Sequence, residues 1–359
     1  MNRDPILFRV DGTSRSGGEH LARCLVLAAA LQRRRRPTYF LSQLDPACQG
    51  LGIKRAGNDW LEADAPAGSR EDLDETLQEI RRLRPAAVIV DSPDANEAYL
   101  QELANQGPMI VSVDSQASVR FPSRLIINPL LGPTKDSYEF DSRTQVLLGE
   151  RYALVRSDIR RIRAVRAQEP VQPFRALLAL GDDDPHNQAG ELARLLLNVP
   201  RLSRVDLVVR HHHPQLEQLQ ALAAQFADKL ELATEPAEIT AKISRCHFAV
   251  TAGNGAALEL ACVGIPQLVI VQSEVNWPTA QRLEEEGAAV CLGWHETVSA
   301  NTIRQAVANL LGDNLERQAM SRCGRKLIDG RGPDRLVTAL EVLLHPSRQL
   351  QVLEFSEAA

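Results

Sequence analysis

No run of apolar residues in this chain is long enough to cross a bilayer as a helix, and its first residues lack the apolar core of a secretory signal. The expectation is a cytoplasmic protein with no transmembrane segment. Positive charge is not in excess. The 359 residues sum to a formal charge of −5, and the isoelectric point lies near 6.0. No general attraction to nucleic acid or to an anionic membrane is expected from that balance. Cysteine is sparse and scattered: the six residues Cys24, Cys48, Cys246, Cys262, Cys291 and Cys323 have no zinc-site spacing. Most fall inside apolar helical or strand patterns, so buried free thiols in a reducing compartment are expected. Internal repeats and low-complexity stretches are missing too. The run Arg33 to Arg36 closes a predicted helix, where cations complement the negative end of the dipole and stay solvated.

What the chain does have is an alternation of short apolar strands with amphipathic helices. In the first half, strands are predicted at 6–10, 38–42, 86–91, 109–114 and 124–128, with helices near 20–33, 70–83 and 95–105. That order predicts a parallel sheet covered on both faces. Asp91 and Asp114 stand at the carboxyl ends of their strands, the edge at which open α/β sheets bind ligands. Residues 157–173, rich in Arg, Gln and Pro, read as a connection between domains. A second α/β series follows, with strands at 176–180, 205–209, 230–233, 248–251 and 267–271 and terminal helices from 300. The predicted division is a domain over 1–156, a linker over 157–173, a domain over 174–345 and a tail over 346–359. Facing carboxyl edges of two such domains leave a cleft suited to a bulky ligand.

The segment Val10-Asp11-Gly12-Thr13-Ser14-Arg15-Ser16-Gly17-Gly18-Glu19-His20-Leu21-Ala22-Arg23-Cys24-Leu25 is the most informative. Phe8 and Val10 end a strand, Gly17 and Gly18 make a turn, and Leu21, Leu25, Ala28 and Leu31 form the buried stripe of a helix. His20 then lies on the first helical turn, where the positive end of the dipole disfavours imidazolium. A neutral ring, available as a general base, is expected there. A capping or packing histidine is the alternative. The turn Ala252-Gly253-Asn254-Gly255-Ala256-Ala257-Leu258-Glu259 also joins a strand to a helix. Its small residues let a phosphate approach backbone N–H groups, and Glu259, one helical turn further in, is placed for ribose hydroxyls. A plain tight turn with a solvent-facing glutamate stays open. Gly181-Asp182-Asp183-Asp184-Pro185 ends another strand, and its aspartates suit either a divalent cation or turn and cap positions. His211-His212-His213 is set aside as a metal cluster, because neighbouring side chains on an extended segment point to opposite faces.

Four stretches, taken in order, resemble the UDP-sugar hydrolases of pseudaminic acid biosynthesis, the PseG family. They are Gly18 to Leu25, Leu147-Leu148-Gly149-Glu150-Arg151-Tyr152-Ala153-Leu154-Val155-Arg156, Gly253 to Glu259 with Val263-Gly264-Ile265-Pro266, and Asp329-Gly330-Arg331-Gly332. More distantly they are similar to the B-type glycosyltransferases, including the transferase that adds N-acetylglucosamine to lipid I. The resemblance runs from about Phe8 to Val337. It implies an α/β fold of two Rossmann-like domains, parallel sheets facing across a cleft, with the nucleotide held mainly by the C-terminal domain. By matching position, Gly253, Asn254, Gly255 and Ala256 would line the diphosphate, Glu259 would bind the ribose, and Ile239 would offer backbone groups to uracil. His20 would activate water for inverting attack on the anomeric carbon, without a metal or other cofactor. Gly17, Gly18, Asp91, Asp114, Gly181 and Asn276 would border the substrate.

Several polar positions depart from that family. Its Gly-Gly-(Ser/Thr)-Asp-Pro loop is Gly181 to Pro185 here, and its Gly-Gly-Ser-Thr-Thr turn is Gly253-Asn254-Gly255-Ala256-Ala257. Its acidic-Asn-Gln triplet is Glu274-Val275-Asn276, and its His-Tyr pair is Ser92-Pro93. The scaffold and the candidate base are kept while substrate contacts change. Three functions follow: a UDP-sugar hydrolase, a B-type glycosyltransferase needing an acceptor, or a catalytically silent nucleotide-sugar-binding homologue. The expected partner is a UDP-sugar and not nucleic acid, and the oligomeric state is not legible.

Overall fold

The computed structural model describes residues 3–13, 18–45, 49–117, 119–181, 184–211 and 213–345. They fold as two compact units, one of residues up to 129, 133–152 and from 331, the other of 130–132 and 153–330. The first unit opens with β1 (Ile6–Val10), α1 (Gly18–Arg33), β2 (Thr38–Ser42), α2 (Gln49–Arg55) and β3 (Asp59–Glu62). It continues through α3 (Arg70–Leu83), β4 (Ala87–Asp91), α4 (Glu97–Ala104) and β5 (Met109–Val113). Then come β6 (Arg120–Phe121), β7 (Leu125–Asn128), β8 (Glu139–Phe140) and β9 (Gln145–Leu148). Among the described residues, seven strands form one parallel sheet in the order β3-β2-β1-β4-β5-β7-β9, with β6 and β8 as a separate parallel pair. Every residue of β1 and β4 is buried, because helices cover both faces of a parallel sheet. Strand order reverses between β1 and β4, so a crevice opens at their carboxyl ends.

The second unit runs α5 (Ser157–Val165), β10 (Phe174–Ala179), α6 (Ala189–Leu197), β11 (Leu202–Val208), α7 (Leu216–Gln225), β12 (Leu230–Ala233) and α8 (Pro236–Arg245). After these come β13 (Phe248–Thr251), α9 (Gly255–Val263), β14 (Gln267–Val271), α10 (Trp277–Glu285), β15 (Ala289–Trp294), α11 (Ala300–Gly312) and α12 (Asn314–Leu327). Among the described residues, six strands make a parallel sheet, β12-β11-β10-β13-β14-β15, and here the reversal falls between β10 and β13. Alternate residues of β14 serve two cores. Val269 and Val271 pack with Ala257 and Leu258 of α9, while Leu268 and Ile270 pack with Leu196 of α6 and Val307 of α11. Gly264 ends α9 with φ +85°, a left-handed cap that glycine adopts without the penalty of a Cβ.

Two boundaries differ from those read in the sequence. The supposed linker holds α5, whose Ile159 and Ile162 enter the second core one helical turn apart. Its arginines cap helices. Arg163 donates to the carbonyls of Cys262, Ile328 and Arg325, and Arg166 to those of Cys246 and Gly264. The last described helix, α13 (Gly332–Leu344), returns to the first unit, burying Leu336, Val337 and Leu340. That return also changes the arginine run. Arg36 is 2 % exposed and donates to both oxygens of Glu341, and Arg33 pairs with Asp334, while Arg34 and Arg35 stay exposed. The stripe of α1 is buried through Leu21, Cys24, Leu27, Ala28 and Leu31, with Leu25 only half-buried. Among the described residues no helix is long and apolar enough to cross a membrane.

Candidate functional site

In the first unit, the crevice between β1 and β4 is where His20 meets Asp91. His20 comes from the first turn of α1, and Asp91 is the last residue of β4. His20 Nδ1 lies 2.5 Å from Asp91 Oδ1. Arg23 donates to the same carboxylate through Nε (2.6 Å) and a terminal nitrogen (2.5 Å), and the Cys24 thiol donates at 3.3 Å. His20, Arg23 and Cys24 are spaced i, i+3 and i+4, so one helix face delivers all of these donors. Burial alone would raise the Asp91 pKa, but Arg23 and His20 outweigh it and hold the carboxyl well below its ordinary range. Burial, and then Asp91 itself, push the Cys24 thiol up, which keeps it a donor. An ionised carboxylate only accepts, so His20 Nδ1 carries the hydrogen of this bond, and the base form of a ring so held has its lone pair on Nε2. Arg23 also lies 3.1 Å from Nδ1, but two donors form no bond. The histidine side chain keeps 19 % of its surface open, whereas Asp91 keeps none. Sequence reading placed His20 at a helix start and Asp91 at a strand end but did not foresee that the two are paired.

In the second unit, the turn between β13 and α9 lies at the corresponding reversal. Gly253 has φ +79°, and a Cβ there would lie 3.1 Å from Ala280 Cβ, 3.2 Å from Val269 Cγ1 and 3.3 Å from the Asn276 carbonyl. Asn254 donates from Nδ2 to the Leu180 carbonyl at 3.1 Å, tying the turn to the end of β10. The Ala257 N–H bonds the Asn254 carbonyl, leaving the N–H groups of Gly255 and Ala256 directed out of the positive end of α9. Replacing Gly253 by alanine is therefore expected to cost about 1–3 kcal/mol from left-handed strain and crowding. Thermal denaturation of the variant would measure that cost as a lowered melting temperature.

Other predicted residues have different surroundings. Glu259 accepts from the Arg156 backbone N–H at 2.9 Å and from its guanidinium at 3.0–3.1 Å, so a ribose hydroxyl would share an already paired carboxylate. Ile239 is buried inside α8, and its N–H is committed to the Glu235 carbonyl. Asp114 Oδ2 accepts from the N–H groups of Gln116 and Ala117 and from the Tyr138 hydroxyl, bracing its own loop. Gly18 opens α1, Gly181 follows β10 with φ +114°, and Asn276 lies in the loop after β14 against Gly253. Asp184 accepts from the N–H groups of Gln188 and Ala189 at the start of α6 and faces the buried His213. His211 pairs instead with Glu235, so these two histidines serve separate partners. Gly17, Cys48, Asp182, Asp183, His212 and the tail from 346 lie outside the described residues.

No protein-family model matches the chain. The spore coat polysaccharide biosynthesis protein SpsG of Bacillus subtilis is 21 % identical over 340 residues, covering 93 % of this chain and 96 % of that protein. Among solved structures, the spinosyn rhamnosyltransferase SpnG complexed with thymidine diphosphate superposes with a TM-score of 0.66. It is 17 % identical and covers 94 % of this chain and 100 % of its own. The UDP-GlcNAc 2-epimerase of Neisseria meningitidis bound to UDP-GlcNAc gives 0.64 at 12 % identity, over 93 % of this chain and 99 % of its own. At these identities the likeness establishes the fold: two α/β units with parallel sheets, in the architecture of the B-type glycosyltransferases.

Proposed function

We propose that this protein acts on a nucleotide-linked sugar and that its reaction is glycosyl transfer to an acceptor hydroxyl. The observation that carries the reading is the His20–Asp91 pair, a partly exposed imidazole whose Nδ1 is held by a buried carboxylate. In the proposed step, His20 Nε2 takes the proton of the acceptor hydroxyl as its oxygen bonds the anomeric carbon. The bond from that carbon to the nucleoside diphosphate breaks, and the electron pair leaves with the diphosphate. Taken by itself, the second unit offers the outward N–H groups of Gly255 and Ala256, which suit the negative charge of a diphosphate. Similarity to a rhamnosyltransferase and to a polysaccharide biosynthesis protein favours a saccharide or glycoside acceptor over water. Hydrolysis of a UDP-sugar is the second reading, favoured by the motifs at Gly18 to Leu25 and at 147–156.

The test is nucleotide release from UDP- and dTDP-linked sugars, with and without simple glycoside acceptors. Release that needs the acceptor supports transfer, and release in plain buffer supports hydrolysis. Binding of UDP with no release under either condition leaves a silent binding protein. Failure to bind either nucleotide removes all three readings.

A further inference from the structure

The second unit holds a polar cluster that the proposed chemistry does not use. Gln272 follows β14 and is 5 % exposed, yet neither its amide oxygen nor its amide nitrogen has a hydrogen-bond partner among the described residues. A buried amide left in that state is destabilising on both counts. Continuing the alternation of β14, where Leu268 and Ile270 face α6, places Gln272 on the α6 side. His295, one residue after the Trp294 that packs on the opposite side, falls there as well. His186, from the loop entering α6, stacks on His295 with centroids 3.7 Å apart.

The hydrogen bonds of this cluster fix what it presents. His186 Nε2 lies 3.0 Å from the Gln272 backbone carbonyl. A carbonyl only accepts, so Nε2 carries the proton and Nδ1 offers a lone pair in the neutral ring. His295 Nδ1 accepts from the Gln188 amide at 3.2 Å, so its Nε2 is the donor. The nearby carboxylate of Asp184 is taken up by N–H groups at the start of α6. In these tautomers the two rings present both a donor and an acceptor.

We infer that Gln272, His186 and His295 form a subsite for a neutral group bearing adjacent donors and acceptors, namely the hydroxyl or acetamido substituents of a sugar ring. This rests on the nucleotide-sugar reading above and assigns to that substrate a specificity-determining residue, Gln272. The loop it opens also carries Asn276, whose carbonyl lies against Gly253 of the phosphate turn.

The probes are UDP, UDP-glucose, UDP-galactose and UDP-N-acetylglucosamine, titrated into the full chain and into Gln272→Leu and Gln272→Glu. Gln272→Leu removes the orphaned amide and should raise the melting temperature while weakening the best-bound UDP-sugar about tenfold. Affinity for UDP itself should stay within about twofold. Gln272→Glu keeps the shape without the donor and should lose sugar affinity in the same sense. Equal weakening of UDP and UDP-sugar, or none at all, overturns the subsite while leaving the wider reading intact. A wild-type protein that binds every UDP-sugar no better than UDP overturns it too. Failure of the wild type to bind UDP overturns both.

Discussion

His20→Gln is expected to slow nucleotide release by about 10²–10⁴-fold while leaving UDP affinity nearly unchanged. Glutamine keeps much of the volume and polarity of the side chain but has no lone pair able to take a proton. The loss should therefore fall on kcat, since the interaction removed belongs to the transition state. A second variant separates chemistry from packing. Asp91→Asn keeps the shape but presents an amide to Nδ1, favouring the tautomer with its proton on Nε2, and leaves Arg23 without its counterion. It should approach the His20→Gln loss although the imidazole is still present. The pH dependence carries the opposite sign from an acid requirement. Asp91 is held below its ordinary 3.8, so its contribution to stability is complete above that value and is lost as pH falls through the depressed one. The carboxylate thus stays ionised and accepting at and above its ordinary 3.8, and the loss of its stabilising contribution belongs below that value. Turnover by His20→Gln at the wild-type rate would remove the histidine from the chemistry altogether.

Much of the scaffold was legible because central parallel strands announce themselves. The strands β1, β4, β13 and β14 are buried throughout and read as mostly apolar runs, each with a single polar or charged residue. The strands that the pattern missed are β3, β9 and β15, all at sheet edges, together with the two-residue β6 and β8. Asp59–Glu62 and Gln145–Leu148 have only four residues each and none of them is fully buried, so neither reads as a central strand. The candidate base was legible from its glycine turn, and the i, i+3, i+4 spacing of His20, Arg23 and Cys24 was a further signal for a shared partner. Which carboxylate they share depends on β1 lying beside β4, a fact of sheet order that no local pattern contains. Glu259 and Arg156 are 103 positions apart, and nothing near either announces their pairing. The linker misreading has a simple cause: arginines that cap buried carbonyls look, in composition, like arginines in a solvated connection.

Arg9→Met should cost the first unit about 3–5 kcal/mol, the largest stability loss expected anywhere in the chain. Arg9 lies in the middle of β1 with no exposed surface, amid strand residues that are otherwise apolar. Its guanidinium bridges Asp72 and Asp11 at 2.5 Å each and donates to the carbonyls of Leu41 and Ala65. Asp11 also accepts from the N–H groups of Gln43 and Ala67, and Asp72 accepts from the Gly68 N–H, the Thr76 hydroxyl and the Tyr99 hydroxyl. One cation therefore ties together the loops after β1, β2 and β3 and the starts of α3 and α4. Removing it strands two buried carboxylates, whose desolvation is no longer offset. Urea unfolding in a Trp277→Phe/Trp294→Phe background would isolate this unit, since Trp60 of β3 is then the remaining tryptophan. The triple variant Arg9→Met/Asp11→Asn/Asp72→Asn should recover a substantial part of the loss, because deleting a whole charge network costs less than breaking one. A single-variant loss below about 1 kcal/mol would mean the network is dispensable. Equal losses in single and triple would instead locate the cost in the hydrogen bonds to the loops, and the crevice holding His20 would then depend on those bonds and not on charge.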